Sequence, residues 1–156
     1  MQTYSPRRLA VTILAAGLIA GTLDIFVAAL INHLPPGTIL QAIASGVLGK
    51  ASFLGGGRSM VLGFALQEAM SLIIAAIYIL AAVRLAVLLR RPAAMGALYG
   101  VGIFLVMNLV VVPLSAAWPK HRHVTVEAIV LNLAAMILFG LIVAYTPKVM
   151  RLDRSI

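Results

Sequence analysis

The chain has no cysteine and few charged residues. Only 10% of its 156 residues are Asp, Glu, Lys or Arg, whereas ordinary globular proteins have about a quarter. The absence of cysteine excludes disulfides, thiolate metal ligands and covalently attached haem. The scarcity of charge accompanies 63% hydrophobic residues, and a soluble domain of this size could not bury that much apolar surface. We therefore predict an integral membrane protein.

Acidic residues are the scarcest charged class, with 4 Asp and Glu against 12 Lys and Arg and a net charge of +8. In a soluble protein this excess would suggest a nucleic-acid partner. Here the basic residues flank long apolar runs, where they set topology and meet anionic lipid headgroups. We expect membrane lipids, and no nucleic acid, as partners.

Four apolar runs are long enough to cross a bilayer, which takes about 20 residues. The predicted spans are 9–31, 59–83, 95–117 and 125–146, with Thr125 as the N-cap of the last. A further apolar stretch, 38–50, is too short and predicts an interfacial or re-entrant amphipathic helix with Thr38 as its N-cap. The predicted fold is a single all-α transmembrane domain over 1–156, with four transmembrane helices plus this short helix on the outer side.

The basic residues favour one orientation. If the N-terminus is inside, most of them fall on the inner side: Arg7, Arg8, Arg84, Arg90, Arg91, Lys148, Arg151 and Arg154. The outer side then holds Lys50, Arg58, Lys120 and Arg122. The positive-inside rule therefore predicts that both termini are cytoplasmic.

Glycines predict where the helices pack. Gly17 and Gly21 are four residues apart in the first span, as are Gly96 and Gly100 in the third. Glycine at this spacing lets two helix backbones approach closely in lipid. The alternative, that glycine is simply common in membrane helices, stays open.

Polar residues inside the spans are the main functional clue. Asp24, Glu68, Asn108 and Asn132 lie at similar predicted depths, each on a stripe of small or polar residues. An acid near the bilayer centre costs about 3 kcal/mol or more unless it is paired, protonated or hydrated. We predict that the four side chains form one polar layer. The layer could be a proton, cation or small-solute site, or a polar knot that only fixes helix register.

No motif predicts a specific reaction or a cofactor. The sequence Gly49-Lys50 fails the phosphate-loop pattern, because Ala44 and Ala51 stand where glycine and serine or threonine are required. His33, His121 and His123 could together bind a metal. Their spacing is not specific and two adjoin basic residues, so we predict no metal site and no cofactor.

The stretches 43–49, 55–57, 98–100 and 107–115 resemble those of a family of small uncharacterised bacterial inner-membrane proteins with four helices. The resemblance covers about residues 12–145. It implies the four-helix fold and the inner membrane, and it carries no activity. Members of that family often have a histidine near the position of Gln67, where this chain has Gln67 followed by Glu68.

Two functions therefore remain open. The first is a small-solute, ion or proton pathway built around the intramembrane acids. The second is an accessory or structural subunit, or a homo-oligomer, packed through the glycine faces. We expect no enzyme, because a lipid-processing site usually shows clustered acids and histidines at recognisable spacing.

Overall fold

A computed structural model describes residues 5–117 and 125–150, in which all regular structure is helical. The α-helices of this part are α1 (Pro6–Asn32), α2 (Pro36–Leu48), α3 (Gly56–Ala82), α4 (Ala86–Arg90), α5 (Pro92–Val106), α6 (Val112–Leu114) and α7 (Val126–Val149). A 3₁₀ helix, Gly49–Leu54, joins α2 to α3. A π-helical segment, Met107–Val111, joins α5 to α6.

The two predicted helix N-caps, Thr125 and Thr38, differ in the structure. Thr125 is the N-cap of α7, as predicted, and its Oγ1 accepts a hydrogen bond of 3.2 Å from the Ala128 N–H. Thr38 is not an N-cap, and that prediction is wrong. The helix α2 begins two residues earlier, at Pro36, because proline fixes a helical φ and lacks the N–H that a first turn leaves unbonded.

The predicted span 95–117 is interrupted by Pro113. Regular α5 ends at Val106, the π-helical segment follows, and the helix stops before the extended Ser115. Proline has no N–H to donate, and its ring crowds the carbonyl four residues earlier. A widened π turn just before the proline accommodates both effects.

Five helical stretches of the described chain, and not four, are long and apolar enough to cross a membrane. The addition is Pro36–Leu54, in which the 3₁₀ helix extends α2 to 19 residues. The prediction of long apolar helices is confirmed. Length and composition do not by themselves support the division into four spans and one short helix.

The long helices pack in the order α5, α7, α1, α3, with α2 against α3. The helices α1 and α3 run antiparallel, since Gly17 lies against Leu72 while Asp24 bonds Gln67. The helices α5 and α7 also run antiparallel, since Gly96 lies against Ala144 and Gly100 against Met136. We use "N-terminal end" for the end at which α1 begins, and "opposite end" for the other.

Two apolar clusters flank the centre of α1. The larger lies nearer the N-terminal end and joins α1, α3, α4, α5 and α7 through Ala16, Ala20, Ala75, Tyr78, Ile79, Ala82, Leu89, Ile103, Phe139, Val143 and Ala144. The smaller joins α1 to α2 through Ile25, Ala29 and Ile39. The segment between them, residues 21–24, carries the polar side chains of α1 that face α3.

Candidate functional site

Among the acidic residues that the structure describes, Glu68 alone is fully buried. It lies near the middle of α3, and only 6% of its surface is exposed. The Thr22 hydroxyl of α1 donates a hydrogen bond of 3.0 Å to Glu68 Oε1. Glu68 Oε2 is buried and has no hydrogen-bond partner. One carboxyl oxygen is therefore fixed across the helix contact, while the other is free for a proton or a ligand.

Asp24 lies on the same contact, further towards the opposite end. The Gln67 side chain of α3 donates a hydrogen bond of 2.9 Å to Asp24 Oδ2. The same Gln67 nitrogen lies 3.5 Å from the backbone oxygen of Gly21. Each helix thus supplies one acid and the donor to the other acid: Gln67 of α3 donates to Asp24 of α1, and Thr22 of α1 donates to Glu68 of α3. We call Thr22, Asp24, Gln67 and Glu68 the acid cluster.

Gly21 makes room for the acid cluster. A Cβ built on Gly21 would lie 2.5 Å from Ser71 Oγ and 3.0 Å from Glu68 Oε2. Any side chain there would compete with the buried carboxyl for the same volume. The glycine face of α1 therefore serves two purposes: Gly17 lets the Leu72 backbone approach, and Gly21 admits polar side chains.

Neither carboxyl of the acid cluster is paired with a basic side chain of the described residues, since Thr22 and Gln67 supply their only described hydrogen bonds. Both donors are neutral, so they bind a carboxylate without cancelling its charge. A charge near the bilayer centre is expensive unless something neutralises it. The arrangement fits a site that exchanges a proton or a small cation.

A small cavity lies beside Asp24, between α1 and α7. It has a volume of about 10 Å³ and is lined by Ala20, Leu23, Asp24, Val27, Ala135, Leu138, Phe139 and Ile142. A volume near 10 Å³ holds about one water molecule. Asp24 is its one charged lining residue, so a water there would sit beside the carboxyl.

The structure corrects the predicted four-residue layer. Asn108 is exposed, and its amide donates to the Phe104 carbonyl of its own helix at 2.8 Å. Asn132 is partly buried, and its amide donates to the Ala128 carbonyl of its own helix at 2.7 Å. Each amide donates one N–H to the carbonyl four residues earlier in its own helix, and no described hydrogen bond links either amide to an acid.

The other predicted residues are placed as follows. Gly96 and Gly100 lie at the contact of α5 with α7, where an added Cβ would meet the backbone of Leu141 or Ile137. His33 is exposed at the end of α1 in a left-handed conformation, with φ 52°. His121 and His123 lie outside the described residues. Among the described residues no three His, Asp or Glu side chains come together as metal ligands.

Sequence reasoning missed Thr22 and Gln67 as members of the cluster. Both carry a signal in hindsight, because each is a hydrogen-bond donor within two residues of an intramembrane acid. From the sequence we expected Asn108 and Asn132 to be the partners of the two acids. The actual donors sit on the same two helices as the acids.

No protein-family model matches the chain, and neither does a curated protein or a solved structure. The resemblance to small four-helix inner-membrane proteins therefore stays a prediction. Any function must be argued from the acid cluster itself.

Proposed function

We propose that this membrane protein conducts protons across the bilayer, with Glu68 and Asp24 as the groups that carry them. The observation that supports the proposal most is the buried Glu68 carboxyl. One of its oxygens has no partner, and its only described donor is the neutral Thr22 hydroxyl. An intramembrane acid without a basic partner supports a hypothesis of function by default.

The surroundings of Asp24 favour a proton over a larger solute. The cavity beside its carboxyl has room for about one water. A proton can pass through a single water or a hydroxyl, whereas a solute needs a continuous space of its own size. Gln67, which binds Asp24, is adjacent to Glu68 on α3, and Thr22, which binds Glu68, lies two residues before Asp24 on α1. The two carboxyls therefore belong to one segment of the α1–α3 contact, where a proton could pass between them.

The proposed pathway needs a topology, and we propose four crossings with both termini in the cytoplasm of a bacterial inner membrane. Since α1 and α3 are antiparallel, the segment between them would begin and end on one side. In this topology α2 and the 3₁₀ helix enter the membrane without crossing it. The distribution of basic residues supports the orientation.

Single cysteines test this topology, because the native chain has none. We expect Leu34→Cys and Leu54→Cys to react with an impermeant maleimide from outside intact cells, and Arg91→Cys to react only after permeabilisation. If Pro36–Leu54 were a fifth crossing, Leu34→Cys and Leu54→Cys would label from opposite sides of the membrane.

Proton flux in proteoliposomes tests the pathway. A potassium gradient with valinomycin drives protons, and an internal pH-sensitive dye reports them. We expect flux above that of empty liposomes, reduced at least about tenfold in Glu68→Gln and in Asp24→Asn. These substitutions keep the size and the hydrogen-bond acceptor but remove the exchangeable proton. A sodium-dependent signal without proton movement would contradict the proposal in favour of a cation site.

Glu127→Gln is the matched control. Glu127 is an exposed acid in the first turn of α7, and the chemical change is the same as at Glu68. We expect wild-type flux from this variant. Wild-type flux from Glu68→Gln, or flux in the wild type no greater than in empty liposomes, would overturn the pathway.

The alternative function is an accessory or structural subunit, without enzymatic activity. One observation favours it: the predicted polar residues lie in different surroundings. The two acids lie at the contact between α1 and α3, whereas Asn108 is exposed. An exposed amide inside a membrane helix is more useful for binding another protein than for conducting ions. The two functions are compatible, because they use different helices.

A further inference from the structure

The helices α5 to α7 form a hairpin that contributes no fully buried residue over its half towards the opposite end. From Leu105 to Leu114, and from Val126 to Ala134, no residue is buried. Nearer the N-terminal end the same two helices contribute buried residues to the core, among them Ile103 and Phe139. This half, 105–114 with 126–134, consists of exposed and half-buried residues and is called the open hairpin below.

The open hairpin carries two amides at one level. Gly100 of α5 lies against Gly140 of the antiparallel α7. Asn108 follows Gly100 by eight residues and Asn132 precedes Gly140 by eight, so the register brings them to similar height. Asn108 lies seven residues before the helix end at Ser115, and Asn132 seven after the N-cap Thr125. Both are therefore about 10 Å from the helix ends, deeper than lipid headgroups reach.

Each amide has hydrogen-bonding capacity left over. An asparagine amide has two N–H donors and a carbonyl acceptor. Asn108 and Asn132 each use one donor within their own helix, and the described residues supply no other partner. Lipid tails can neither donate nor accept, so these groups are unsatisfied unless a protein surface covers them.

Asn132 is half-buried and lies three residues before Ala135, which lines the cavity between α1 and α7, so Asn132 lies on the α1 side of the hairpin. We propose that a second copy of this chain covers the open hairpin, with the exposed Asn108 hydrogen-bonding to Asn108 of the second copy across a two-fold axis. The amide is self-complementary, because it offers both a donor and an acceptor. A two-fold interface presents the same surface from both copies, so an exposed Asn108 close to the axis meets the same residue of the second copy. Apart from the two amides, the side chains of the open hairpin near the level of Asn108 are apolar, and its one charged residue, Glu127, lies in the first turn of α7. No charge at the level of Asn108 therefore calls for an unlike partner.

Oxidative cross-linking in native membranes tests the location of the interface. Leu105 lies three residues before Asn108 and is 49% exposed, and Ile19 on α1 is a matched control at 51% exposure. We expect Leu105→Cys to form disulfide-linked dimers several-fold more than Ile19→Cys under copper phenanthroline. Equal cross-linking of the two variants would overturn the proposal, and the wild type provides a background without cysteine.

Dilution in lipid tests the role of the amides. Full-length chains carrying donor and acceptor fluorophores are reconstituted at increasing lipid-to-protein ratio, and energy transfer reports the dimer. We expect Asn108→Leu to raise the dissociation constant about tenfold, the loss of roughly two interhelical hydrogen bonds in lipid. Asn108→Gln, which keeps an amide, should retain most of the association. A wild type that is monomeric at every ratio, or an unchanged constant in Asn108→Leu, would overturn the proposal. The result is independent of proton flux, because the acid cluster lies on other helices.

Discussion

Gly21 in the antiparallel pair α1–α3 and Gly100 in the antiparallel pair α5–α7 have different surroundings. In the pair α1–α3, Gly21 faces the side chains of Ser71 and Glu68. In the pair α5–α7, Gly100 faces the backbone of Met136 and Ile137. Hydrogen bonds between side chains cross the first contact. In the second pair the asparagine amides bond only within their own helices.

The difference shows that close approach and polar function compete for the same space. When glycine brings two backbones together, no volume is left between them for a carboxyl. When glycine faces small polar side chains, the volume it frees can hold an acid with one oxygen unpaired. The α5–α7 contact is therefore suited to stability, whereas the part of the α1–α3 contact around Gly21 is suited to a site.

The largest expected effect comes from filling the backbone contact. An alanine at position 100 would place its Cβ 2.5 Å from Ile137 Cα, and a backbone cannot move aside as a side chain can. We expect Gly100→Ala to lower the free energy of unfolding by about 3 kcal/mol, the upper part of the usual range for overpacking. Unfolding in detergent, followed by circular dichroism, measures the change.

Two matched variants sharpen this prediction. Gly102 lies on the same helix with no atom within 4 Å of an added Cβ, so Gly102→Ala should cost nothing. Gly21→Ala meets side-chain atoms that can shift, and we expect about 1 kcal/mol. A cost for Gly21→Ala as large as that for Gly100→Ala would remove the proposed distinction between the two pairs.

The sequence predicts much of this fold but not the distinction between the pairs. Both glycine pairs have the same spacing, and both were expected to be packing faces. What each glycine meets depends on the partner helix, and the spacing within one helix says nothing about it. The helix ends were predictable where a side chain decides them, as at Thr125. They were not predictable where a proline two residues earlier starts the helix instead, as Pro36 does before Thr38.

The acid cluster was predictable only in part. Depth along the helices marks Asp24 and Glu68 as expensive residues that need partners, and each accepts a hydrogen bond from a neutral donor across the α1–α3 contact. It could not identify the partners, because depth does not fix rotation. A helix amide can also bond the carbonyl four residues earlier, and Asn108 and Asn132 both do so. Thr22 and Gln67 became visible only when the register of α1 against α3 was known.

The smallest expected effect tests how the two pairs are joined. The Tyr99 hydroxyl of α5 donates a hydrogen bond of 2.7 Å to the Ile74 carbonyl of α3. Its ring packs against Tyr78 of α3 with centroids 5.0 Å apart. Tyr99→Phe removes the hydrogen bond and keeps the ring contact. We expect a loss of about 1 kcal/mol in the free energy of unfolding, because the Ile74 carbonyl keeps its place in the helix ladder.

Tyr145→Phe is the control for Tyr99→Phe, because Tyr145 is 42% exposed and makes no hydrogen bond to the described residues. We expect its unfolding free energy to equal that of the wild type within error. If both substitutions lower the free energy of unfolding equally, the Tyr99 hydroxyl does not join the two pairs. The pairs would then be held together by the packing of the Tyr78 and Tyr99 rings and by the contact between α1 and α7. If only Tyr99→Phe is destabilised, the hydrogen bond from Tyr99 to Ile74 helps to hold α5 of one pair against α3 of the other. In that case Tyr99→Phe should leave the hydrogen bonds of Asp24 and Glu68 intact, because neither involves α5.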